Sequence, residues 1–503
     1  MGKYVLGMDN GGTVIKAALF SLDGKEIATA SRQTTVLNPR PGYTERNMDE
    51  LWEQNCACIR QVLSDSKTDP GEIAAVGVCG HGKGLYPWGK NGKPAYNGII
   101  STDNRAWQYP EKWKKEGTFG ALYPRLCQQI MACQPVSLLA WMKDHDQKVY
   151  DSIRWVFSVT DYIRFRLTGE AYSEATNISG SGLINVRDIK TEKDILEKFG
   201  IGETHAMIPP LKYSADPCGK ITAEAARLTG LKEGTCVAGG MFDIDACAIA
   251  MSVTEPEQLC TITGTWSINE FISPAPITGT CIAMNSIYAI PGFYLIEESS
   301  ATGAGNLEWL IRNIYDNEPV QDGKKIYDLL NEKAAAVDPE NCDVYYLPFL
   351  YGSNRHPLAK AGFIGLTSFH TKDHMLRALY EGAAFSARHH TDKLLSVRDR
   401  PKAVRLAGGA ANSALWVQIY ADVLGQPVET VSGVSELGAM GAGMAAAVSV
   451  GLFKNYREAA ASMVKISPAI QPDEKMSRVY NKKYETYKSI CEALDGIWNR
   501  FEV

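Results

Sequence analysis

The chain opens with an apolar run that breaks at two adjacent glycines and then resumes. Residues 4–20 read as strand, glycine turn, strand. Ser21-Leu22-Asp23-Gly24 is the next turn signal, and residues 26–31 form the return strand. The opening is therefore strand–loop–strand, not strand–loop–helix. Apolar positions then recur at helical spacing over 48–64 (Leu51, Trp52, Cys56, Ile59, Leu63). Residues 73–79 are a short, continuous apolar run, which predicts a buried strand. Helices are expected near 137–143 and 161–167. A second beginning lies near residue 258, where LCTITGTWSINEFI again reads strand, glycine turn, strand. After it, a strand over 403–406 leads into GGAANS and a helix over 414–424, and a strand over 428–430 precedes a glycine-rich helix.

This pattern predicts a duplicated α/β unit with its boundary between 245 and 258. The repeat is one of layout and glycine turns, not of residue identity. The length agrees, since 503 residues exceed what a single core usually serves. A cleft between two such domains is a usual place for small ligands.

Composition narrows the function classes. Hydrophobic residues make up 45% and charged residues 22%, as in an ordinary globular protein. A formal net charge of -5 gives no reason to expect nucleic acid or an anionic membrane as partner. No apolar run reaches the span of a bilayer, and MGKYVLGMDNGG is not a secretory leader, so a cytoplasmic protein is expected. The 12 cysteines are scattered without a CxxC pair, and are expected to be reduced thiols used as small core residues.

The candidate chemistry gathers in loops. In the first, Gly11 and Gly12 precede Thr13, and Lys16 follows. Paired glycines let backbone N–H groups approach phosphate oxygens closely, and Asp9 could hold magnesium through water; a plain tight hairpin explains the loop equally well. Gly264, Thr265 and Trp266 occupy the same place in the second half, although Trp266 also suits core packing. Between them, GGMFDIDA places Asp243 at a helix start. Phosphoryl transfer needs one carboxylate to take the proton of the attacking hydroxyl, and Asp243 suits that role; its ordinary alternative is a helix N-cap. Asp245 is expected to be a structural acid. Gly408, Gly409 and Asn412 in AGGAANS are candidates for a nucleoside, and SELGAMGAG for close helix packing. His81, Gly82 and Lys83, with Asp103 and Arg105, are the candidate polyol-binding groups. Tyr43, Glu45 and Arg46 are read as structural, with Asp49 as a helix cap.

LGMDNGGTVIKAALFSLDG, GYTERNMDELW, SVTDYIRFRLTG, GGMFDIDA, TITGTWS, RLAGGAANS and SELGAMGAG, in this order, resemble the FGGY carbohydrate kinases. The resemblance implies an α/β fold of two duplicated ribonuclease H-like domains, as in actin and hexokinase, with the active site in the interdomain cleft. It implies a domain over 1–250 that carries the sugar site, the first phosphate loop and the catalytic Asp, and a nucleotide-binding domain over 251–503. ATP is the implied co-substrate and Mg2+ the implied ion, with Asp9 and Asp243 on the metal side and Asp243 as base. Gly11, Gly12 and Thr13 match the first phosphate loop, Gly264 and Thr265 the second, and Gly408, Gly409 and Asn412 the nucleotide motif. Asp161 matches a recurrent Asp with no assigned role. HGKGLY, STDNRAW, GNLEWL and PVSLLAWMKDH look like the L-xylulose kinase subgroup. The expected activity is ATP-dependent phosphorylation of a terminal hydroxyl of a small ketose, L-xylulose or a related pentulose first. The alternatives are the same chemistry on erythritol, glycerol, D-xylulose, gluconate or keto-gulonate, or a nucleotide-binding regulator without catalysis. A homodimer is the family-level expectation.

Overall fold

The computed structural model describes residues 2–264, 266–279, 282, 284–320, 323–356 and 358–501. Two compact units interleave along the chain. The first comprises Met1–Thr254, Ile272–Ile296 and Ser432–Lys465; the second comprises Glu255–Phe271, Glu297–Val431 and Ile466–Val503. The expected division at 250/251 follows chain order, whereas packing places two later segments with the first unit. The reason for the longer of them is the helix described below.

In the first unit the central sheet runs Pro217–Lys220, Cys236–Ala238, Ile73–Gly80, Tyr4–Asn10, Val14–Ser21, Glu26–Gln33. The last three strands form the expected antiparallel meander, and Tyr4–Asn10 pairs in parallel with Ile73–Gly80. These two strands are covered on both faces, which is why they read as near-continuous apolar runs. Met241–Phe242 adds to the far end of Ile73–Gly80 in parallel. The second unit repeats the plan: Ser267–Ser273 pairs antiparallel with Leu259–Thr263, which pairs in parallel with Val404–Gly408, followed by Val428–Thr430. The helices expected over 48–64, 137–143 and 161–167 appear as Met48–Ser66, Pro135–His145 and Val159–Thr168. The cap of the first is Asn47, whose side chain accepts the Glu50 N–H; Asp49 lies in the first turn and pairs with Arg166 at 3.2 Å.

Helix Leu437–Ser449, the SELGAMGAG segment, lies in the first unit and rests on its sheet. The contact is backbone to backbone. A Cβ on Gly7 would stand 1.7 Å from the Ala439 carbonyl oxygen, and one on Gly77 would stand 1.9 Å from that of Ala442. On the helix's other side, a Cβ on Gly441 would stand 2.0 Å from the Ala246 carbonyl oxygen of helix Asp243–Ala250. Glu26 accepts the Ser435 and Glu436 N–H groups and so satisfies donors at the N-terminal end of helix Leu437–Ser449. The described cysteines are free thiols, and among the described residues no helix is long and apolar enough to cross a membrane.

A methyl at position 77 has no space to enter without moving the Leu437–Ser449 backbone. Gly77→Ala is expected to cost about 3 kcal/mol or more, at the upper end of overpacking penalties, and to lower Tm sharply. Gly443→Ala meets only the Val5 and Phe20 side chains, at 3.3 and 3.5 Å, and should leave Tm near the wild-type value. Equal losses in thermal unfolding would contradict the backbone-contact account.

Candidate active site

Three loops of the first unit leave one sheet at the same edge. Asn10 pairs with Gly80 and Phe242 pairs with Gly80, so the segments beginning at 11, 81 and 243 emerge together. Gly12 has no left-handed φ, and a Cβ placed on it would meet nothing within 4 Å. The fold itself therefore does not require glycine there. The Gly11 carbonyl accepts a hydrogen bond from Arg46 Nη1 at 3.1 Å, and the Thr13 carbonyl accepts the Thr34 N–H at 2.8 Å, which fixes the loop from behind. Lys16 forms a 2.8 Å ion pair with Glu436.

Asp9 is enclosed at the root of this loop. Its Oδ1 is buried without a hydrogen-bond partner, and its Oδ2 leaves no room for a Cβ on Gly438, which would stand 2.5 Å away. Burial is the main cause that raises its pKa to about 6; Lys16 opposes and Glu436 reinforces the rise. A carboxylate oxygen held dry and unpaired fits a cation.

The 81–84 loop is braced from within. His81 Nδ1 lies 3.0 Å from the Gly82 carbonyl, so Nδ1 carries the proton, and Nε2 accepts from the Tyr86 hydroxyl at 2.8 Å. That hydroxyl accepts from Arg46 Nε at 2.7 Å. Burial and the Arg46 charge push His81 down to about 3, so the ring is neutral. Gly82 is pressed on the Phe242 ring, 2.4 Å from where its Cβ would be, which holds this loop beside Asp243. Lys83 takes φ 62 and lines a cavity of about 20 Å3 with Ser158, Asp161 and Asn177, room for about one water.

Asp243 is the first residue of helix Asp243–Ala250, and the N-cap position belongs to Phe242. The capping alternative is therefore not what the structure shows. The half-buried Asp243 lies near enough to Cys79 to raise that thiol's pKa, as Asp9 does, although burial is the larger cause. Asp245 is fully buried and accepts the Ala289 N–H at 3.0 Å, a structural role as expected.

Asp103 and Arg105, the expected substrate groups, are brought together in a buried, ion-paired cluster. Their ion pair measures 2.8 Å and neither side chain has exposed surface. Arg105 also binds Glu45 at 2.7 Å and lies under the Tyr43 ring, 4.1 Å from its centroid. Asp103 accepts the Thr44 N–H at 2.7 Å, and Glu45 accepts Tyr96 and Asn97 at 2.9 Å each. The saturated cluster pins the turn that carries Arg46 and hence the back of both the 11–13 and 81–84 loops.

In the second unit, Thr263 pairs with Gly408, so the 264–266 and 409–412 turns are neighbours. Gly408 has φ +83, with the Thr263 carbonyl oxygen 2.4 Å from where its Cβ would be, and the Gly264 carbonyl accepts the Ala304 N–H at 2.7 Å. Thr265 lies outside the described residues, and Trp266 is 42% exposed and not core. Gly409 and Asn412 line a cavity of about 530 Å3, of a size for a small organic ligand. Its wall includes Tyr380 and Trp416, stacked at 4.3 Å, with Asn331 accepting from Tyr380 and Ser413 at 3.0 and 2.7 Å. Sequence reasoning missed Tyr380, Trp416, Asn331 and Glu436. Trp416, one helical turn beyond Asn412, stood near a recognised motif, and Glu436 lay inside SELGAMGAG.

Residues 4–250 match the N-terminal domain of the FGGY family of carbohydrate kinases, and residues 259–450 match its C-terminal domain. The chain is 35% identical over 503 residues to an L-xylulose/3-keto-L-gulonate kinase of Escherichia coli (strain K12), covering 100% of this chain and 99% of that protein. It is 33% identical over 495 residues to a probable L-xylulose kinase of Pasteurella multocida, covering 98% and 99%. The fold is similar to the crystal structure of a xylulose kinase from Rhodospirillum rubrum, with TM-score 0.86, 26% identity and coverage of 99% and 100%.

The raised Asp9 pKa gives a stability test. The rise from 3.8 to about 6 amounts to about 3 kcal/mol against the ionised form. A buried acid with a raised folded-state pKa favours the fold below its unfolded pKa, and that contribution is lost as pH rises through about 6. Without added metal, Asp9→Asn should therefore raise Tm at pH 8, and the gain should vanish at pH 4. A Tm gain of the same size at both pH values, or none at pH 8, would contradict the assignment.

Proposed function

Because the chain belongs to the FGGY family of carbohydrate kinases, we propose that it transfers the terminal phosphoryl group of ATP to a terminal hydroxyl of a small ketose, L-xylulose first. The enzyme class is an ATP-dependent sugar kinase. The observation that carries the site assignment is the shared edge of the first sheet, where an open glycine loop, the 81–84 loop and Asp243 emerge together.

Asp243 is the base. It accepts the hydroxyl proton as the oxygen attacks the phosphorus, and the half-buried position of this carboxylate outside the cap supports that role. The 81–84 backbone, braced by His81, orients the sugar, and Asp103 and Arg105 support that loop from behind. The N–H groups of 11–13 stabilise charge on the phosphates, where preorganised donors act without reorganising. Lys16 is held above its ordinary range because the Glu436 bond and charge outweigh its burial, so it is cationic and adds to this field. Gly408, Gly409 and Asn412 receive the nucleoside, with the 530 Å3 cavity beside them.

The residues fit Mg2+. Asp9 supplies a hard, dry oxygen, Asp243 lies on the same side, and no cluster of three or more metal-binding side chains exists among the described residues. This suits an ion held by one or two carboxylates and the substrate's phosphates. Bound there, Mg2+ would neutralise phosphate charge.

Similarity to the Escherichia coli L-xylulose/3-keto-L-gulonate kinase supports keto-gulonate among the alternatives already expected. Coupled ADP release over a panel of ketoses, polyols and sugar acids tests the reading. An L-pentulose is expected to give the highest kcat/KM, about 10-fold or more above D-xylulose, because a site built on hydrogen bonds discriminates hydroxyl geometry. A maximum with glycerol, erythritol or gluconate would move the substrate elsewhere. No sugar-stimulated release with any compound would favour a nucleotide-binding regulator.

A further inference from the structure

Two segments have no part in the chemistry described so far. One is SVTDYIRFRLTG, which contains Asp161, and the other is the SEATNIS stretch that follows it. Both converge on the backbone that presents Asp243. The Phe242 N–H, one residue before Asp243, donates to Thr176 Oγ1 at 2.9 Å. Thr176 Oγ1 in turn donates to Glu174 Oε2 at 2.7 Å. Glu174 is fully buried and collects three further donors: Thr176 N–H at 3.0 Å, Asn177 N–H at 2.9 Å and Ser214 Oγ at 2.8 Å. Four donors on one carboxylate leave it no freedom to turn, and this fixes the direction of the Thr176 hydroxyl.

A second brace holds the same segment further back. Asp161 accepts the Glu174 N–H at 2.9 Å and pairs with Arg164 at 3.0 Å. Arg164 donates to the Gly239 carbonyl. Gly239 and Gly240 are themselves crowded, with a Cβ at 239 falling 2.2 Å from the Tyr213 carbonyl oxygen and one at 240 falling 2.4 Å from that of Val78. The GGMF approach to Asp243 is therefore clamped at both ends, by Arg164 at Gly239 and by Thr176 at Phe242.

We propose that Thr176, locked by Glu174, is a positioning residue that sets the angle at which Asp243 meets the substrate hydroxyl. The inference rests on Asp243 being the base. A buried carboxylate is costly to keep, and burial raises Glu174 to about 7 despite its four hydrogen bonds. Plain packing at this place needs no acid. A hydroxyl that accepts from the Phe242 N–H needs an acceptor for its own proton, and Glu174 supplies it, which turns the hydroxyl's lone pair to that N–H. A near-ångström error in the placement of a catalytic group costs on the order of 100-fold, so the relay bears on rate more than on binding.

The test is a double-mutant cycle with Asp243→Asn, reading kcat, KM for sugar and ATP, and Tm. Thr176→Val should lower kcat about 10-fold or more while both KM values stay within about 3-fold, and Thr176→Ser should recover most of the rate. In the Asp243→Asn background, Thr176→Val should change kcat by less than about 2-fold, because the group it positions is gone. Glu174→Gln probes the relay from its other end by the same criteria, and decides if Thr176→Val does not fold. The same fold-loss in both backgrounds, or unchanged kcat in Thr176→Val, overturns the positioning role while leaving Asp243 as base. Near-normal turnover of Asp243→Asn alone removes the base and the inference together.

Discussion

The first unit depends on a helix laid on a sheet so closely that backbone meets backbone at glycines. Gly7 and Gly77 on the strands face the Ala439 and Ala442 carbonyls, and Gly441 faces the Ala246 carbonyl of the helix that starts at Asp243. This stack is thinner than side-chain packing permits. It fixes three things at once. Gly438 comes against the Asp9 carboxylate, Glu436 comes within 2.8 Å of Lys16, and helix Asp243–Ala250 is set at a defined height over the strands whose ends carry the first loop. A single residue with a Cβ on the strand side would move all three.

The site built on this stack is electrostatically costly, and the cost is concentrated where the chemistry is. Asp9 and Glu174 are both enclosed carboxylates whose pKa values burial raises. They differ in how their oxygens are satisfied. Glu174 is saturated by the protein and is therefore a brace. Asp9 keeps one oxygen without a hydrogen-bond partner, which fits the cation proposed for it. Asp103 belongs with Glu174: both of its oxygens are spent on Arg105 and the Thr44 N–H. This distinction, saturated against unsaturated, separates scaffold from site among acids that look alike in sequence.

Much of this was legible before the structure. The hairpin-first layout of both halves, the loop glycines at 11–12 and 264, and the place of Asp243 all follow from period-2 runs and turn residues, which act locally. What was not legible involves pairing across long stretches of chain. Arg105 finds Glu45, Phe242 finds Thr176, and Lys16 finds Glu436, and no spacing rule announces such partners. The polar character of Asp103 and Arg105 was visible, but not that each would consume the other. The alternative of a helix cap at Asp243 was open in sequence because both roles ask for an acid at a helix start; the placement of Phe242 at the cap removes that alternative. The membership of residues 432–465 in the first unit was also hidden, since it comes from glycine contacts with strands more than 350 positions earlier. Tyr380 and Trp416 are buried aromatics that also wall the larger cavity, which no local pattern around them announces.

The central claim is that Asp243 takes the proton in the transfer step and does little to hold the substrates. Single-turnover rapid quench with γ-labelled ATP isolates that step from product release. With Asp243→Asn enzyme saturated by sugar and Mg-ATP, the account predicts phosphosugar formation at least about 100-fold slower than in wild type, since a positioned base contributes about that much or more. Calorimetric affinities for sugar and nucleotide should stay within about 3-fold of wild type, because the substitution keeps shape and removes only basicity. A wild-type burst from the Asn variant, or a loss accounted for wholly by weakened binding, would contradict it.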